Sequence, residues 1–192
     1  MNTQIDIRIV KEISQNLSTP LVNISNVAGA IKYFNEEIDC SKLDTVKHLE
    51  RNIIDSKEFE ELFKKLNNSL PILYIFEINS DIEINVVRNA FEAYSIRNER
   101  VTPAIYKNYI SDSKILYVGK VLNGFKGRLI VHLGVANKPN FHGLQLLHWA
   151  KSINLHLKLH IFEFNNDMNN DYLMLSLEGE MAKMFKPIVG KH

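Results

Sequence analysis

Residues 114–134 read KILYVGKVLNGFKGRLIVHLG, and this stretch decides the fold that we expect. Lys114–Val118 is apolar and aromatic, which predicts a buried or half-buried strand. Two glycines and an asparagine within residues 122–127 predict a turn. Arg128–Leu133 carries apolar residues at helical spacing, which predicts a short helix with Gly134 at its C-cap.

Several polar side chains are expected to lie close together at the end of this strand. Gly119 is expected to end the strand, so Tyr117 and Lys120 should lie beside the turn. Arg128 and His132 are four residues apart and therefore share one face of the helix. A phenol, cationic groups and a glycine-containing loop are what a phosphate site requires. The stretch therefore predicts a phosphate-binding site.

Periodic patterns predict the elements that surround this stretch. Apolar residues alternate along residues 71–78 and 155–164, with His160 on the solvent-facing side of the second segment. Ser80 and Glu83 match a capping box at the start of a helix. The predicted elements are strands at 71–78, 114–118 and 155–164 and helices at 80–94, 128–133, 144–150 and 171–186. This order favours the α+β class, with a small three-stranded antiparallel sheet flanked by helices.

The chain before residue 70 predicts a helical extension. Residues 3–17 fit both a strand and a helix, and we favour the helix. Val22–Phe34 predicts a second short helix, and Ser41–Asn67 is the clearest helical tract of this half. We therefore expect an N-terminal helical extension at 1–69 and a second domain at 70–192.

The composition excludes several classes of protein. The net charge is +1 at pH 7, so a nucleic acid must be bound through a local basic patch. The single cysteine, Cys40, excludes an intramolecular disulfide and a cysteine-rich metal site. The N-terminus lacks the pattern of a signal peptide, and no apolar run reaches about 18 residues. We expect a cytoplasmic protein that does not contact a membrane.

The sequence YVG at residues 117–119, followed by Arg128 and His132, resembles the second motif and the next helix of the GIY-YIG nuclease superfamily. In that superfamily, a tyrosine of the strand and an arginine of the helix lie in the active site. Some restriction-type members also carry a histidine four residues after the arginine. The resemblance covers about residues 71–192, and it implies a small three-stranded sheet with helices on both sides.

The sequence LSLEGEMAKMFKP, residues 175–187, resembles the final motif of the same superfamily. There, a glutamate on a helix precedes a proline and binds one divalent metal ion. Periodicity alone does not choose between Glu178 and Glu180, but the spacing to Pro187 in the family motif selects Glu178. The family often has an asparagine three residues after the proline, where this chain has Gly190.

The first motif of the family supplies another tyrosine, for which the chain offers two candidates. Tyr106, in PAIYKNY, stands eleven residues before Tyr117, as in compact members of the family. However, Pro103 and Asn108 interrupt the pattern of a strand at that place. Tyr74, in PILYIFEI, has strand periodicity on both sides, and we favour it.

The resemblance implies a role for each matched residue. Tyr74 would help a water attack the phosphodiester, either directly or through Tyr117 or His132. Arg128 would stabilise the developing negative charge, and Glu178 would bind Mg²⁺ or Mn²⁺. The residues that we expect to contact the substrate are Gly119, Lys120 and Lys126.

The function that follows from the resemblance is a metal-dependent DNA endonuclease, with restriction, defence and repair as compatible roles. Cleavage of both DNA strands by one small chain would call for a second active site, which makes a homodimer an expected assembly. The alternative is a catalytically inactive GIY-YIG-like module that binds nucleic acid or protein. Gly190 and the near-neutral net charge favour that alternative.

Overall fold

A computed structural model describes residues 6–16, 29–46, 57–106, 113–136, 140–165 and 168–190. The described elements are α1 (Ile7–Asn16), β1 (Ile31–Asp39), α2 (Lys57–Lys65), β2 (Ile72–Ile78), α3 (Ile84–Ser95), β3 (Ile115–Val121), α4 (Phe125–Leu133), β4 (His156–Phe164) and α5 (Asp171–Phe185). Short 3-10 helices lie at Cys40–Val46, Leu146–His148 and Ala150–Ile153. Within these residues, no helix is long and apolar enough to cross a membrane.

The strands form one antiparallel sheet in the order β1-β4-β2-β3. The prediction of the α+β class is therefore confirmed, but the sheet has four strands where three were expected. In the register of β2 and β3, Tyr74 lies opposite Gly119 and Phe76 lies opposite Tyr117. Because antiparallel partners point to the same side of a sheet, the two tyrosines share one face.

Both faces of the sheet are covered by apolar cores. On the first face, Tyr74 and Phe76 pack among residues of α2, α3 and α4. On the second face, Leu73 and Ile75 pack among residues of α1 and α5. His160 of β4 belongs to this second face and is only 2% exposed, so its expected solvent-facing position is wrong. A sheet that is covered on both sides buries polar positions that an alternating pattern would assign to solvent.

The expected helical character of the first 69 residues is only partly confirmed. α1 confirms the helix within residues 3–17. The helix expected at Val22–Phe34 is wrong for residues 31–34, which belong to β1 and pair with β4 along its whole length, whereas residues 22–28 lie outside the described residues. The long backbone ladder with β4 outweighs weak local helix propensity. β1 thus belongs to the same sheet as the strands after residue 70.

The tract expected to be helical at Ser41–Asn67 contains two separate elements. The 3-10 helix occupies its beginning and α2 occupies Lys57–Lys65, while residues 47–56 lie outside the described residues. The apolar positions Phe59, Leu62 and Phe63 of α2 are buried in the core of the first face. The described part of the tract is thus amphipathic, as its spacing predicts.

The strand–turn–helix unit at the centre of the sequence is present with shifted ends. β3 continues through Gly119 to Val121, because Gly119 still pairs with β2. α4 begins at Phe125 after Gly124, whose φ of 72° is left-handed. Gly134 is the C-cap with φ of 86°, which confirms that prediction.

Two other local predictions are wrong. The capping box is not formed: Glu83, and not Ser80, occupies the N-cap of α3, and its side chain makes no capping hydrogen bond. The helix expected at residues 144–150 is replaced by the two 3-10 turns at Leu146–His148 and Ala150–Ile153. The left-handed backbone of Gln145, with φ of 56°, prevents a continuous helix through this segment.

Candidate active site

Two tyrosines meet on the first face at the strand pair β2–β3. The ring centroids of Tyr74 and Tyr117 are 6.1 Å apart. Gly119 makes this approach possible: a Cβ atom there would lie 2.6 Å from Tyr74 Oη and 2.5 Å from Tyr117 Cε1. Every other residue type at position 119 would therefore displace one of the rings. The glycine of the YVG sequence is required by the space that the two tyrosines occupy.

α4 brings Arg128 against both tyrosines. Arg128 Nε donates to Tyr74 Oη at 3.0 Å, and Nη2 donates to Tyr117 Oη at 3.3 Å. Nη1 donates to the carbonyl of His142 at 2.5 Å. The guanidinium is thus held in one orientation by three acceptors, which is the preorganisation that an anion site requires.

The start of α4 is anchored by the loop that precedes β2. The N–H of Gly124 donates to the carbonyl of Asn68 at 2.7 Å, and the N–H of Lys126 donates to Asn68 Oδ1 at 3.0 Å. These bonds satisfy N–H groups at the beginning of the helix. They also fix the position from which the helix presents Arg128.

His132 lies one turn after Arg128 and is completely buried. Its Nε2 lies 2.9 Å from Tyr74 Oη, and the backbone N–H of Leu144 donates to its Nδ1 at 3.2 Å. Burial lowers the pKa of His132 well below its ordinary value, and the nearby Arg128 charge acts in the same direction. His132 is therefore a neutral imidazole in the folded protein.

The two phenols differ in how deeply they are buried. Burial raises the pKa of Tyr74 well above its ordinary value, while the charge and the hydrogen bond of Arg128 oppose that rise. Burial also raises the pKa of Tyr117, again against the charge of Arg128. Tyr74 is 0% exposed and Tyr117 is 8% exposed, so Tyr117 is the phenol nearer to solvent.

Glu178 reaches the same strand end from α5. The backbone N–H of Lys120 acts to lower the pKa of its carboxyl, and its negative charge acts to raise the pKa values of both tyrosines. Burial raises the pKa of Glu178 to about 7, against the charges of Lys120 and Arg128.

Glu180, the other acid that periodicity left open, behaves differently. It forms an ion pair with Lys183 at 2.5 Å on the outer side of the same helix. Glu178 is instead 9% exposed and lies at β3. Of the two glutamates, only Glu178 has a charge that acts on the pKa values of Tyr74 and Tyr117.

Three other residues singled out from the sequence lie outside this group. Lys120 pairs with Leu73 in the register and therefore points to the second face, where its ammonium bonds to Asp171. The ammonium of Lys126 lies 5.4 Å from the centre of the Phe63 ring. Tyr106 lies outside the four strands, and its N–H donates to the carbonyl of Ile188.

Residues 142–144, which follow α4, make backbone contacts that no side-chain pattern in the sequence indicates. The carbonyl of His142 holds Arg128, and the N–H of Leu144 holds His132. Gly143 lies between them, where a Cβ atom would come within 2.7 Å of Val131. The sequence offers only a glycine next to a run of apolar residues there, and this pattern does not reveal backbone contacts to the side chains of α4.

The donor set fits a single hard divalent cation. Among the described residues, no group of three or more His, Cys, Asp and Glu side chains could hold a metal. Mg²⁺ commonly binds through one or two carboxylates, with waters and substrate phosphates completing its shell. Glu178 supplies such a carboxylate beside an arginine that can bind the same phosphate. Mg²⁺ or Mn²⁺ bound at Glu178 is therefore chemically compatible with this site.

A comparison of the chain with protein-family models gave no match, and comparisons with curated proteins and with solved structures gave none either.

Proposed function

We propose that this protein is a metal-dependent nuclease of GIY-YIG type that hydrolyses phosphodiester bonds of DNA. The observation that carries the proposal is the group formed by Tyr74, Tyr117 and Arg128, with the carboxyl of Glu178 beside it. The proposal takes β2, β3 and β4 with α4 and α5 as the family's small sheet and flanking helices, to which β1 is added at one edge.

Arg128 is the group that would stabilise the transition state. A guanidinium has five N–H donors. Among the described residues, Arg128 makes three hydrogen bonds, so two N–H groups remain for the oxygens of a phosphate. Because its orientation is already fixed, little reorganisation accompanies the growth of negative charge on the phosphate.

Glu178 is the group that would hold the divalent cation. When bound there, Mg²⁺ or Mn²⁺ supplies Lewis-acid stabilisation to the phosphate and the leaving oxygen. The buried setting of Glu178 supports this role, because a cation relieves the cost of a carboxylate in an apolar site. Hydrolysis also needs a group that takes a proton from the attacking water, and the tyrosine pair provides it.

The remaining parts of the proposal concern the substrate and the assembly. Gly119, Lys120 and Lys126 lie around the strand end and the start of α4, and in this proposal they border the bound DNA. Cleavage of both strands would use two copies of the chain as a homodimer. We expect the enzyme to act in the cytoplasm.

The direct test is single-turnover cleavage of supercoiled plasmid with Mg²⁺ or Mn²⁺. We expect Arg128→Lys to lower the rate by about 100-fold, because it loses the planar fork that binds two phosphate oxygens. We expect Glu178→Gln to remove cleavage at all metal concentrations tested. Glu180→Gln is the matched control, because the residue lies two positions away and bonds only to Lys183 among the described residues.

Thermal unfolding and circular dichroism should show that each variant remains folded. Wild-type protein that cleaves no DNA with either metal would overturn the nuclease proposal. Equal DNA binding in Mg²⁺ and in chelator, together with absent cleavage, would instead support the inactive binding module. In that case Gly190, which replaces the usual asparagine, is the first position to examine.

A further inference from the structure

The two outer strands of the sheet, β1 and β3, differ at their outer edges. At the start of β3, the N–H groups of Ile188 and Val189 donate to the carbonyls of Ile115 and Leu116 at 2.9 and 3.1 Å. Among the described residues, no strand pairs with the outer edge of β1, which has nine residues. The outer edge of such a strand is a template for pairing with another chain.

The hydrogen bonds at both ends of β1 show which of its backbone groups point outward. The N–H of Asn165 donates to the carbonyl of Ala30, and the N–H of Cys40 donates to the carbonyl of Leu155. Both bonds continue the register of β1 and β4, so the even-numbered residues of β1 form the hydrogen-bonded pairs of that ladder. The N–H and C=O groups of the odd-numbered residues in the range 31–39 are therefore directed away from β4.

Three side chains of β1 form a row at this edge. Lys32, Phe34 and Glu36 alternate along the strand and therefore share one side of the sheet. That side is the first face, because Phe34 packs against its core. The side chain of Lys32 is 64% exposed, and Phe34 and Glu36 are partly exposed. A cation, an aromatic ring and an anion thus follow one another along the edge.

This row is complementary to itself when it is read in the opposite direction. In an antiparallel pair of two β1 strands centred on Phe34, Lys32 of each copy lies opposite Glu36 of the other copy. The two Phe34 side chains then face each other between the two ion pairs. Odd-numbered residues lie opposite odd-numbered residues, so the outward backbone groups of both copies also meet.

Neighbouring registers lack this match. A centre on Tyr33 places Lys32 opposite Phe34, and a centre on Asn35 places Lys32 opposite Ile38. A centre between two residues places odd-numbered residues opposite even-numbered ones, whose backbone groups already bond to β4. Of these arrangements, only the pair centred on Phe34 satisfies both the backbone groups and the charges.

We propose that the outer edge of β1 is a homodimer interface, at which a second copy of this chain pairs its own β1 antiparallel about Phe34. The two four-stranded sheets then form one continuous sheet, with a β3 strand at each end. This gives the expected homodimer a definite surface. The inference is drawn from β1 and its surroundings and does not depend on nuclease activity.

The symmetry of this pair places both candidate active sites on one side of the dimer. Antiparallel strands are related by a two-fold axis perpendicular to the sheet, so the first faces of both copies point the same way. Strands lie about 4.8 Å apart, and β2 and β3 are the third and fourth strands from the axis, so the two Arg128 groups are separated by roughly 30 Å across the sheet. This separation is close to one turn of DNA, about 34 Å.

A charge reversal at the edge tests the interface. Sedimentation equilibrium of the full chain should show a dimer for wild type. Glu36→Lys should weaken that dimer by about tenfold or more, because each new lysine lies opposite Lys32 of the other copy. Glu92→Lys is the matched control, because it makes the same charge change at an exposed position of α3 and should leave the dimer intact. Circular dichroism checks that both variants are folded.

The reciprocal exchange should restore the dimer. Lys32→Glu combined with Glu36→Lys rebuilds both ion pairs with their signs exchanged. Lys32 also pairs with the buried Glu163 at 3.4 Å, so this double variant is compared at a temperature where circular dichroism shows it folded. Cross-linking does not depend on this variant and tests the register directly.

Cysteine cross-linking tests the centre of the pair. Opposite residues of a non-hydrogen-bonded pair have Cα atoms about 4.5 Å apart, which a disulfide can span. Phe34→Cys should therefore form a covalent dimer under mild oxidation. Asn35→Cys should not, because its two copies are offset by two positions, which separates their Cα atoms by more than about 7 Å. Cys40 is completely buried, and wild type is the control for its reactivity.

The outcomes separate this inference from the nuclease proposal. Wild type that stays monomeric at about 100 µM, a dimer unaffected by Glu36→Lys, or cross-linking of Asn35→Cys in place of Phe34→Cys would overturn the interface. A dimer with the expected cross-link that cleaves no DNA would overturn the nuclease function and leave the interface intact. A monomer that cleaves DNA would do the reverse.

Discussion

Each face of the sheet carries a tyrosine that is hydrogen-bonded to a buried histidine, but the direction of the hydrogen bond differs. On the first face, Nε2–H of His132 donates to Tyr74. On the second face, Nε2 of His160 lies 2.8 Å from Glu77 Oε2, and Nδ1 lies 2.7 Å from the hydroxyl of Tyr33. A carboxylate only accepts, so Nε2 of His160 carries a proton, and in the neutral imidazole Nδ1 then accepts from the Tyr33 hydroxyl.

This difference determines what each pair can do. The oxygen of Tyr74 receives two donors, and one of them is the cation Arg128, so the first face suits an anionic substrate. The hydroxyl of Tyr33 instead donates a hydrogen bond to Nδ1 of His160, and the negative charges of Glu77 and Asp6 act on it. A phosphate would be repelled from such surroundings. Both pairs consist of a tyrosine and a histidine. They differ in the neighbouring charged residue, which is the cation Arg128 at the candidate active site and the anion Glu77 at the structural contact.

The largest effect is expected from a substitution at Gly119, where both tyrosine rings lie against the backbone of β3. Gly119→Ala places a Cβ atom against Tyr74 and Tyr117. We expect a loss of about 1–3 kcal/mol in the free energy of unfolding, as for other overpacked sites. We also expect cleavage to fall by about 100-fold, because the phenols move away from Arg128. Chemical denaturation and plasmid cleavage measure the two effects, and wild-type activity in Gly119→Ala would contradict the geometry.

A second prediction concerns the cost that the buried carboxyl of Glu178 imposes on stability. Burial raises the pKa of Glu178 to about 7 from an ordinary value of 4.5. The folded state therefore binds a proton more tightly than the unfolded state, so this stabilisation is complete below pH 4.5 and is lost as the pH rises through about 7. At pH 8, Glu178→Gln should raise the free energy of unfolding by at most about 3 kcal/mol.

The measurement is urea denaturation in chelator at pH 4.5 and pH 8, with Glu180→Gln as the control. We expect the gain of Glu178→Gln over wild type to be present at pH 8 and small at pH 4.5. A gain of the same size in Glu180→Gln, or a loss at pH 8 in Glu178→Gln, would contradict the buried position of the Glu178 carboxyl.

The Tyr33–His160 pair should affect stability alone. Tyr33→Phe removes the donor to Nδ1 of His160, which is 2% exposed. We expect a loss of about 1–2 kcal/mol in the free energy of unfolding, because a buried acceptor is left without its partner. Plasmid cleavage by folded Tyr33→Phe should equal that of wild type. A fall in cleavage comparable to that of Arg128→Lys would remove the distinction between the two tyrosine–histidine pairs.

The smallest effect is expected at a glycine that has free space. Gly127 lies within α4, and a Cβ atom there would meet nothing within 4 Å. Gly127→Ala should raise the free energy of unfolding by about 0.5–1 kcal/mol, because alanine favours a helix over glycine. Thermal unfolding measures this gain, and destabilisation would show that α4 is more tightly enclosed than the contacts around Gly127 indicate.

The parts of the site that lie close together in sequence could be read from spacing. Arg128 and His132 are one helical turn apart, and Tyr117 and Gly119 lie on one strand, so local geometry already orders them. Tyr74 was favoured over Tyr106 because only its surroundings have strand periodicity. Its position opposite Gly119 then follows from the pairing of β2 and β3.

The parts that depend on contacts between distant segments could not be read in this way. β1 is a strand because it pairs with β4, and that pairing leaves no local signature. His160 was assigned to solvent because the covering of the second face by α1 and α5 is a tertiary property. The backbone groups of His142 and Leu144 carry no side-chain signal, although they fix Arg128 and His132.

The central claim is that the group of Tyr74, Tyr117 and Arg128, and not the Tyr33–His160 pair, takes part in phosphodiester hydrolysis. It is tested most directly by one plasmid-cleavage experiment in Mg²⁺ that compares wild type, Arg128→Gln and Glu77→Gln. Both substitutions replace a charged partner of a tyrosine–histidine pair by the same neutral residue. We predict that wild type and Glu77→Gln cut the plasmid while folded Arg128→Gln does not. Equal cleavage by the two variants, or no cleavage by wild type, would contradict the claim.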